Sequence, residues 1–352
     1  MKEYNIIGIM SGTSLDGVDV ACCQFYFESN KWNYKIIVAE TFQYDYTWKE
    51  KLNHAINSDA LHLILLHTEY GAYLGKLVNK FILKNKLPID FIASHGHTIF
   101  HQPEKRMTFQ IGDGSAIAAV TGLPVICDFR SGDVALGGQG APLVPIGDKY
   151  LFSEFDFCIN LGGFANISFD KDDKRIAFDI CPVNIVMNKY AELLGIPFDN
   201  DGLIASHGNL NNDLFDELNN LEFYFSKYPK SLGREWVDKN IFPLIEKYKI
   251  SVEDKLYTFC EHVALQISVI LNSEKTGKAL VTGGGAYNKH LISRITDFST
   301  HEIIIPDNTT VEYKEALVFA FLGLLRMNNE INCLSSVTGA SRDHSSGAIY
   351  LP

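Results

Sequence analysis

Apolar and polar residues follow two periodicities along this chain, and each periodicity predicts one kind of element. Two stretches repeat apolar residues at three- and four-residue steps, which is the spacing of one helix face. Short β-rich runs alternate with them, so the pattern indicates an α/β protein whose sheets are covered by helices. The predicted helices are 61–81, ending before Pro88, 257–271, followed by Gly277, and 185–194, followed by Gly195 and Pro197. The predicted strands are 4–10, 18–27, 34–41, 91–94, 125–128, 157–161, 176–178, 279–282 and 302–305.

Three glycine-rich or polar segments interrupt these elements. Residues 132–145 contain the sequence Gly-Gly-Gln-Gly-Ala-Pro, which is too flexible for the interior of an element and predicts a linker. Residues 199–220 are rich in Asp, Asn and Gly and predict an exposed loop with weak helical structure. Residues 335–352 predict a final strand that returns to the first domain. The expected domains are therefore 1–133 plus 335–352, and 134–334.

Composition narrows the class of protein. The 352 residues are 46% apolar and 21% charged, which is typical of a globular protein. Lys plus Arg number 31 and Asp plus Glu 42, so the net charge of −11 argues against nucleic acid as a partner. We see no membrane-spanning run and no signal peptide. The seven cysteines include no Cys-x-x-Cys pair, which favours reduced thiols and a cytoplasmic location.

Glycine-rich turns follow several predicted strands and are candidates for binding a nucleotide. Glycine lets backbone N–H groups approach a phosphate closely, and the hydroxyls of Thr13 and Ser14 add donors. The same turns are compatible with tight turns that hold no ligand. No Walker A or Gly-x-Gly-x-x-Gly motif is present, which disfavours P-loop and Rossmann folds. The candidate ATP-binding residues are Gly12, Thr13, Ser14, Leu15, Asp16, Gly17, Val18, Asp19, Gly162, Gly163, Gly283, Gly284 and Gly285.

Phosphate-binding turns in two domains are typical of an ATP site in an interdomain cleft, where closure excludes water. Phosphoryl transfer also needs a cation and a group that accepts a proton, and Asp179, which follows a predicted strand, is a candidate for that base. His95 and His97 alternate along the chain and, with His101, suggest a metal site. Gly96 separates the first two, and no Cys or acidic ligand lies close in sequence. The sequence therefore favours contacts to substrate or caps of turns for these histidines over a metal site.

The glycine-rich turns and several other blocks resemble, in order, the anhydro-N-acetylmuramic acid kinase family. The resemblance begins at Met-Ser-Gly-Thr-Ser-Leu-Asp-Gly-Val-Asp, residues 10–19, and extends along nearly the whole chain. No single block is decisive, but their common order is a specific signal. The other blocks are Ser-His-Gly-His-Thr 94–98, Gln-Ile-Gly-Asp 110–113, Asp-Phe-Arg 128–130, Gly-Gly-Gln-Gly-Ala-Pro 137–142, Asn-Leu-Gly-Gly 160–163, Lys-Ser-Leu-Gly-Arg-Glu 230–235, Thr-Gly-Gly-Gly-Ala 282–286, Lys-Glu-Ala-Leu-Val-Phe-Ala 314–320 and Ser-Val-Thr-Gly-Ala 336–340.

The resemblance implies a two-domain actin-like, ribonuclease H-like ATPase fold of the actin/hexokinase/Hsp70 superfamily, with an interdomain cleft. It implies a cytoplasmic, usually homodimeric enzyme of peptidoglycan recycling. Such an enzyme uses ATP, Mg²⁺ and water to convert 1,6-anhydro-N-acetylmuramic acid into N-acetylmuramic acid 6-phosphate and ADP. Asp179 matches the family's base, residues 12–19 its phosphate loop, and 283–285 its adenosine site. The residues expected near the sugar are Asp128, Arg130, Glu315 and His95; the Mg²⁺ ligands are unassigned.

One block departs from the family pattern. The family's Thr-Gly-Pro-Gly, directly after the base, reads Ile180-Cys181-Pro182-Val183 here. A Cβ at positions 181 and 183 is expected to narrow any close approach by ligand or backbone. The sequence therefore leaves two other functions open: a sensor of nucleotide or muropeptide fragments that does not turn over, and a kinase for a related amino sugar.

Overall fold

The computed structural model describes residues 2–12 and 15–352 as an α/β protein. The strands are β1 Glu3–Ser11, β2 Gly17–Glu28, β3 Lys31–Gln43, β4 Phe91–Gln102, β5 Met107–Ile111, β6 Val125–Cys127, β7 Phe157–Leu161, β8 Phe164–Lys171, β9 Lys174–Pro182, β10 Lys278–Thr282, β11 Glu302–Ile304 and β12 Ala348–Tyr350. The helices are α1 Tyr46–His54, α2 Ala60–Asn85, α3 Gly114–Thr121, α4 Ser131–Ala135, α5 Pro145–Leu151, α6 Asn184–Glu192, α7 Leu203–Ser206, α8 Asn212–Asn219, α9 Glu222–Phe225, α10 Arg234–Asn240, α11 Phe242–Glu246, α12 Val252–Asn272, α13 Lys289–Phe298, α14 Asn308–Met327 and α15 Ser335–Thr338.

The chain divides into two units. The first extends to Leu151 and also includes Tyr313–Pro352, and the second is Phe152–Glu312. The boundary after Leu151 differs from the expected one at 133/134 because residues 132–145 are not a linker, and the boundary before Tyr313 differs from the expected one at 334/335 because α14 packs against β1 at Gly8. Arg130 Nη1 donates to Gly140 O at 2.6 Å, and Gly140 N donates to Asp133 Oδ2 at 2.7 Å, so this segment is fastened inside the first unit.

The sheet of the first unit has the order β12-β6-β4-β1-β2-β3, and β5 pairs with β4. Strands β1, β2 and β3 form an antiparallel meander, whereas β4 lies parallel to β1 and β6 parallel to β4. The final strand β12 pairs antiparallel with β6, as the sequence predicted. This arrangement brings the end of β1 beside the middle of β4, where Ser11 and His97 are partners in register.

Two long helices build the core of the first unit. Asp59 caps the N-terminus of helix α2, because its carboxylate accepts a hydrogen bond from the His62 N–H, and the helix buries an apolar stripe that includes Tyr70 and Leu74. Helix α14 lies so close to β1 that a Cβ on Gly8 would stand 1.9 Å from Ala316 O. Because only glycine allows that approach, Gly8 fixes the position of the α14 segment next to Ala316.

The sheet of the second unit has the order β11-β10-β7-β8-β9. Strand β10 lies parallel to both β7 and β11, whereas β7, β8 and β9 form an antiparallel meander. Helix α12, capped at Ser251, buries one long face against this sheet and its neighbouring helices. The ends of β7 and β10 therefore lie side by side, with Thr282 in register with Asn160.

Residues 199–220 differ from the predicted exposed loop. They contain a 3-10 helix, α7 and α8, and Asp199 accepts hydrogen bonds from the Ile204 and Ala205 N–H groups. Leu214 and Leu218 are fully buried, because α8 presents them at the four-residue spacing of one helix face. Among the described residues, no helix has an apolar stretch long enough to cross a membrane.

Candidate functional site

Hydrogen bonds hold Ser11, the last residue of β1, in place where the turn to β2 begins. Ser11 is buried, and its hydroxyl lies 2.7 Å from the Tyr44 hydroxyl and 2.9 Å from His97 Nδ1. Strands β1 and β2 pair as an antiparallel hairpin up to Met10 opposite Asp19, which agrees with the predicted hairpin turn. Gly12, Leu15 and Asp16 lie in this turn, whereas the predicted donors Thr13 and Ser14 fall outside the described residues.

Asp19 lies on β2 where the hairpin opens. The Thr41 hydroxyl on the adjacent strand β3 lies 2.6 Å from Asp19 Oδ1 and 3.2 Å from the Tyr313 hydroxyl. Asp19 is half-buried, and Asp16 is exposed. The hairpin therefore presents two carboxylates beside a glycine-containing turn, and carboxylate oxygens are ligands that Mg²⁺ accepts together with phosphate.

Arg130 and His95 form a pair joined by two hydrogen bonds in the first unit. Arg130 donates to His95 Nε2 from Nε at 3.0 Å and from Nη2 at 2.9 Å. His95 Nδ1 lies 2.9 Å from Gly96 O, so this nitrogen carries the ring proton and Nε2 is the acceptor. Burial and the neighbouring guanidinium lower the pKa of His95 well below its usual value. His95 is therefore a neutral acceptor that orients Arg130, whose Nη1 is held by Gly140 O.

Glu315 and Asp128 are placed differently from that pair. Glu315 is exposed on α14, and its electrostatic neighbours include Arg130 and Asp19. Asp128 is exposed directly after β6, with a left-handed φ of 56°, and it accepts a long 3.4 Å hydrogen bond from Ser131 N. The structure thus brings Arg130, His95 and Glu315 into one neighbourhood, whereas Asp128 has no contact with the His95–Arg130 pair among the described hydrogen bonds.

The glycine turns of the second unit meet around one side chain. Gly162 and Gly163 follow β7, and Gly283 follows the neighbouring strand β10 with a φ of 82°. Asn184 at the start of α6 donates to Leu161 O at 3.2 Å from its side chain and to Gly162 O at 3.3 Å from its backbone. Its amide nitrogen would also lie 3.8 Å from a Cβ on Gly284. Asn184 therefore ties both turns together at one end of the sheet.

Asp179 lies on β9 opposite Asn166 of β8, next to a bulge in the pairing. Its backbone N–H donates to Lys230 O at 3.1 Å, and its Oδ2 accepts from Leu232 N at 2.8 Å. In the described part of the chain, that N–H is the one hydrogen-bond donor to the carboxylate. Burial raises the pKa of Asp179 above its usual value, although the Leu232 N–H, which stabilises the charged form, opposes this effect. A half-buried carboxylate with one oxygen held and a raised pKa is suited to accept a proton.

Comparison with known proteins identifies the family. Residues 4–352 match the family model of anhydro-N-acetylmuramic acid kinase. The chain belongs to the anhydro-N-acetylmuramic acid kinase family. It is 35% identical over 369 residues to the anhydro-N-acetylmuramic acid kinase of Francisella tularensis subsp. novicida, covering 97% of each chain. It is also 35% identical over 382 residues to that of Haemophilus influenzae, covering 99% of this chain and 98% of the relative.

A solved structure, the activator of the 2-hydroxyisocaproyl-CoA dehydratase from Clostridium difficile with bound ADPNP, is 12% identical and has a TM-score of 0.45. The match covers 92% of this chain and 97% of the chain in that structure. Membership of the kinase family confirms three predictions from the sequence: the family itself, the two-domain actin-like ATPase class of fold, and the class of enzyme, a sugar kinase. The expected function as an anhydro-N-acetylmuramic acid kinase is confirmed with them.

The departure from the family pattern after Asp179 is absorbed by the core. Ile180, Cys181 and Val183 are all buried, and each packs into the apolar cluster of the second unit. The Val183 N–H still donates to Gly163 O at 2.8 Å. The expectation that a Cβ at 181 and 183 would narrow close approach is therefore wrong for the backbone contact, because both side chains are directed into the apolar interior.

The three histidines that the sequence also offered as a metal site have separate partners among the described residues. His95 accepts from Arg130, His97 bonds Ser11, and His101 Nδ1 lies 3.1 Å from the Thr108 hydroxyl. All three lie on β4, where Gly96 has a φ of 75° and the pairing with β5 shifts between Thr98 and Phe100, so the regular alternation that would put them on one face is interrupted. In the described ranges, the one group of potential metal ligands lies elsewhere in the first unit.

Sequence reasoning gave no role to three groups that hold the site residues. They are Gly140 O, which fixes Arg130, Leu232 N, which binds Asp179, and the Asn184 amide, which joins the glycine turns. Gly140 and Leu232 belong to blocks that carried the family resemblance, which was the available signal, and Asn184 follows directly after the block that departs from it. Two of them act through the backbone, and a backbone contact leaves no residue type by which to recognise it.

Proposed function

We propose that this protein hydrolyses the 1,6-anhydro ring of 1,6-anhydro-N-acetylmuramic acid and phosphorylates O6 with ATP, with Asp179 as the general base. The observation that carries the proposal is the state of that carboxylate: half-buried, held at one oxygen by Leu232 N, and with a raised pKa. A base with a pKa closer to the working pH is more efficient than an ordinary aspartate, which is a weak base.

In the proposed reaction, Asp179 takes a proton from water, and the water oxygen attacks the anomeric carbon. The bond from that carbon to the bridging oxygen breaks, and this oxygen, O6, attacks the γ-phosphorus of ATP. The bond to ADP then breaks, so the products are N-acetylmuramic acid 6-phosphate and ADP. The departing oxygen is itself the nucleophile, so no separate sugar hydroxyl has to lose a proton.

The other site residues have positioning and binding roles in this proposal. Residues 12–19 bind the phosphates, and the turns at 162–163 and 283–285 lie near the adenosine. Arg130, oriented by His95, offers its guanidinium to the sugar, and Glu315 and Asp128 contribute acceptors for sugar hydroxyls. Asp16 and Asp19 provide carboxylate oxygens of the kind that Mg²⁺ prefers, and the ion would neutralise charge on the phosphates. A homodimer in the cytoplasm stays a prediction.

The test combines isotope labelling with a matched pair of variants. The protein is incubated with ATP, Mg²⁺, the anhydro sugar and ¹⁸O-water, and the products are analysed by mass. Label at the anomeric hydroxyl with phosphate on O6 is the expected result. Asp179→Asn keeps an oxygen that accepts from Leu232 N but is not a base, so we expect turnover to fall by roughly 10²–10⁴-fold while ATP binding persists.

Asp173→Asn is the control, because Asp173 is exposed in the turn between β8 and β9. It should retain full turnover. Full activity of Asp179→Asn would remove the base assignment. ADP release stimulated only by another sugar would favour the related amino-sugar kinase, and nucleotide binding with no ADP release would favour the sensor.

A further inference from the structure

Three side chains with different donor atoms converge inside the first unit. Asp133 lies on α4 and is fully buried, and Cys333 and His344 come from the segment that follows α14. One carboxylate oxygen, the Cys333 Sγ and a His344 ring nitrogen all lie within 4.8 Å of one another. None of these residues has a role in the proposed kinase reaction.

Cys333 and His344 pair in an isolated antiparallel β-bridge, which places their side chains on the same face. Cys333 N donates to His344 O at 3.0 Å, and His344 N donates to Cys333 O at 3.1 Å. Residues that exchange both hydrogen bonds across an antiparallel pair present their side chains to the same face. The neighbouring Asn332 side chain braces this bridge, because it binds Ser346 through both its amide nitrogen and its oxygen.

The His344 ring has one satisfied nitrogen and one unsatisfied nitrogen. Nδ1 lies 3.2 Å from Arg342 O, which accepts the ring proton and leaves Nε2 with a lone pair. The side chain is only 9% exposed, and Nε2 has no hydrogen-bond partner in the described part of the molecule. A buried polar atom without a partner is destabilising, so this nitrogen is a site where a ligand is expected.

The gap between His344 Nε2 and Asp133 Oδ1 is 3.7 Å. A charge-assisted N–H···O hydrogen bond is about 2.7–2.9 Å long, so a proton does not account for this spacing. Two ligands of one tetrahedral Zn²⁺, each about 2.0–2.2 Å from the ion, are separated by roughly 3.3–3.6 Å. The observed distance is close to that of two ligands that share an ion.

Hydrogen bonds from neighbouring groups also hold the Asp133 carboxylate in place. Its Oδ1 accepts from the Thr338 hydroxyl at 2.7 Å, and its Oδ2 accepts from Gly140 N at 2.7 Å. Hydrogen bonds of this kind orient the ligands of metal sites. Arg130 is an electrostatic neighbour of both Asp133 and Cys333, so the nearby positive charge opposes a cation. A carboxylate and a thiolate together outweigh that single guanidinium.

We propose that Asp133, Cys333 and His344 bind one divalent cation that prefers sulfur and nitrogen ligands, with Zn²⁺ the best fit. Sulfur, imidazole nitrogen and carboxylate oxygen are the three donor types that Zn²⁺ accepts together, whereas Mg²⁺ and Ca²⁺ require oxygen. The described residues offer three ligands, so water completes the tetrahedron.

Binding requires the Cys333 thiol to release its proton to solvent as the S–Zn bond forms. Metal binding therefore competes with protonation of the thiol. The ion would fasten α4, and with it the Gly140 backbone that holds Arg130, to the chain after α14.

Cobalt substitution tests this proposal without reference to kinase activity. Untagged protein is stripped with a chelator, and Co²⁺ is then added in steps. The expected result is one Co²⁺ per chain, with a thiolate-to-cobalt absorption band in the near ultraviolet that Zn²⁺ abolishes by displacement. His344→Gln should weaken binding by more than the roughly 10–100-fold that loss of a supporting contact costs.

Two cysteine variants form the matched pair. Cys333→Ser removes the ligand sulfur and should lose the band, whereas Cys127→Ser should keep it, because Cys127 is a buried cysteine of the same unit outside the cluster. Circular dichroism checks that both variants fold. If Cys333→Ser does not fold, the wild-type band and the weaker Co²⁺ binding of His344→Gln decide the outcome. A missing band in the wild type, or a band retained in a folded Cys333→Ser variant, overturns the proposal.

Discussion

Gly283 offers a sharp test of how closely the two glycine turns of the second unit pack. Its φ of 82° and ψ of 167° lie in a region that is essentially restricted to glycine. A Cβ there would stand 2.6 Å from Asn160 Oδ1 and 2.9 Å from the carbonyl carbon of Leu161. Both distances are below 3.0 Å, and one of the two atoms belongs to the backbone, so the strand end itself has to move.

The expected loss combines two effects. Backbone strain costs about 1–3 kcal/mol, and overpacking against the β7 backbone adds about 1–3 kcal/mol. For a unit of this size each kcal/mol lowers Tm by roughly 2–4 °C, so a loss of about 2–6 kcal/mol in Gly283→Ala should lower Tm by about 4–24 °C. Because the turn has to open, nucleotide affinity should fall with it.

Scanning calorimetry and nucleotide titration measure these two effects. Gly195→Ala is the matched control, because Gly195 also has a positive φ, of 78°, but a Cβ there would meet no atom within 4 Å. It should show the strain alone and leave nucleotide affinity unchanged. Equal losses of Tm in the two variants, or unchanged nucleotide binding by Gly283→Ala, would refute the close packing of these turns.

Three further predictions follow from other sites. Gly8→Ala should destabilise the first unit by about 1–3 kcal/mol, because its Cβ would meet Ala316 O; urea unfolding measures this, and a neutral effect would contradict it. Burial lowers the pKa of His262 to about 3, so between about pH 6.5 and 3 the unfolded chain binds a proton on this ring that the folded chain does not. A change from pH 7 to 5 should therefore lower the free energy of unfolding by about 2 kcal/mol. His262→Gln should lack that part of the pH dependence, as thermal unfolding at both pH values would reveal. Asp179 must be ionised to act as a base, and its pKa is raised, so kcat/KM should fall on acidification at a pH above ~4, the pKa of an ordinary aspartate. A pH–rate profile that shows no such fall at acidic pH would contradict the assignment of Asp179 as the base.

Most of the elements that were predicted from periodicity are present, and the longest helix that was missed has a physical reason. Helix α14 is absent from the prediction because it is apolar on almost every face, and a helix buried all round has no amphipathic period to detect. Strands β5 and β8 were missed as well. The amphipathic helices α2 and α12 were predicted because each has one buried stripe and one polar face.

The sequence predicts which residue types take part in the site, but not the contacts that hold them. The sequence indicated Asp179 and Arg130 as residue types, and the order of blocks indicated the family. It did not indicate that Arg130 would be held by His95, because those residues are 35 positions apart and meet only through the pairing of β4 with β6. The linker prediction failed for the same reason, since the contacts that fasten Gly140 involve a backbone carbonyl and a backbone N–H.

The first unit is built from two separate segments of the chain, and this affects the order in which the protein folds during synthesis on the ribosome. Its sheet is completed by β12, which follows the entire second unit in sequence. At about 5–20 residues per second, the N-terminal portion waits roughly 10–40 s after Leu151 for its last strand. The uninterrupted segment Phe152–Glu312 has no such delay. The middle of the polypeptide should therefore acquire its native fold first, and the unfinished edge of β6 is where a chaperone would be needed most.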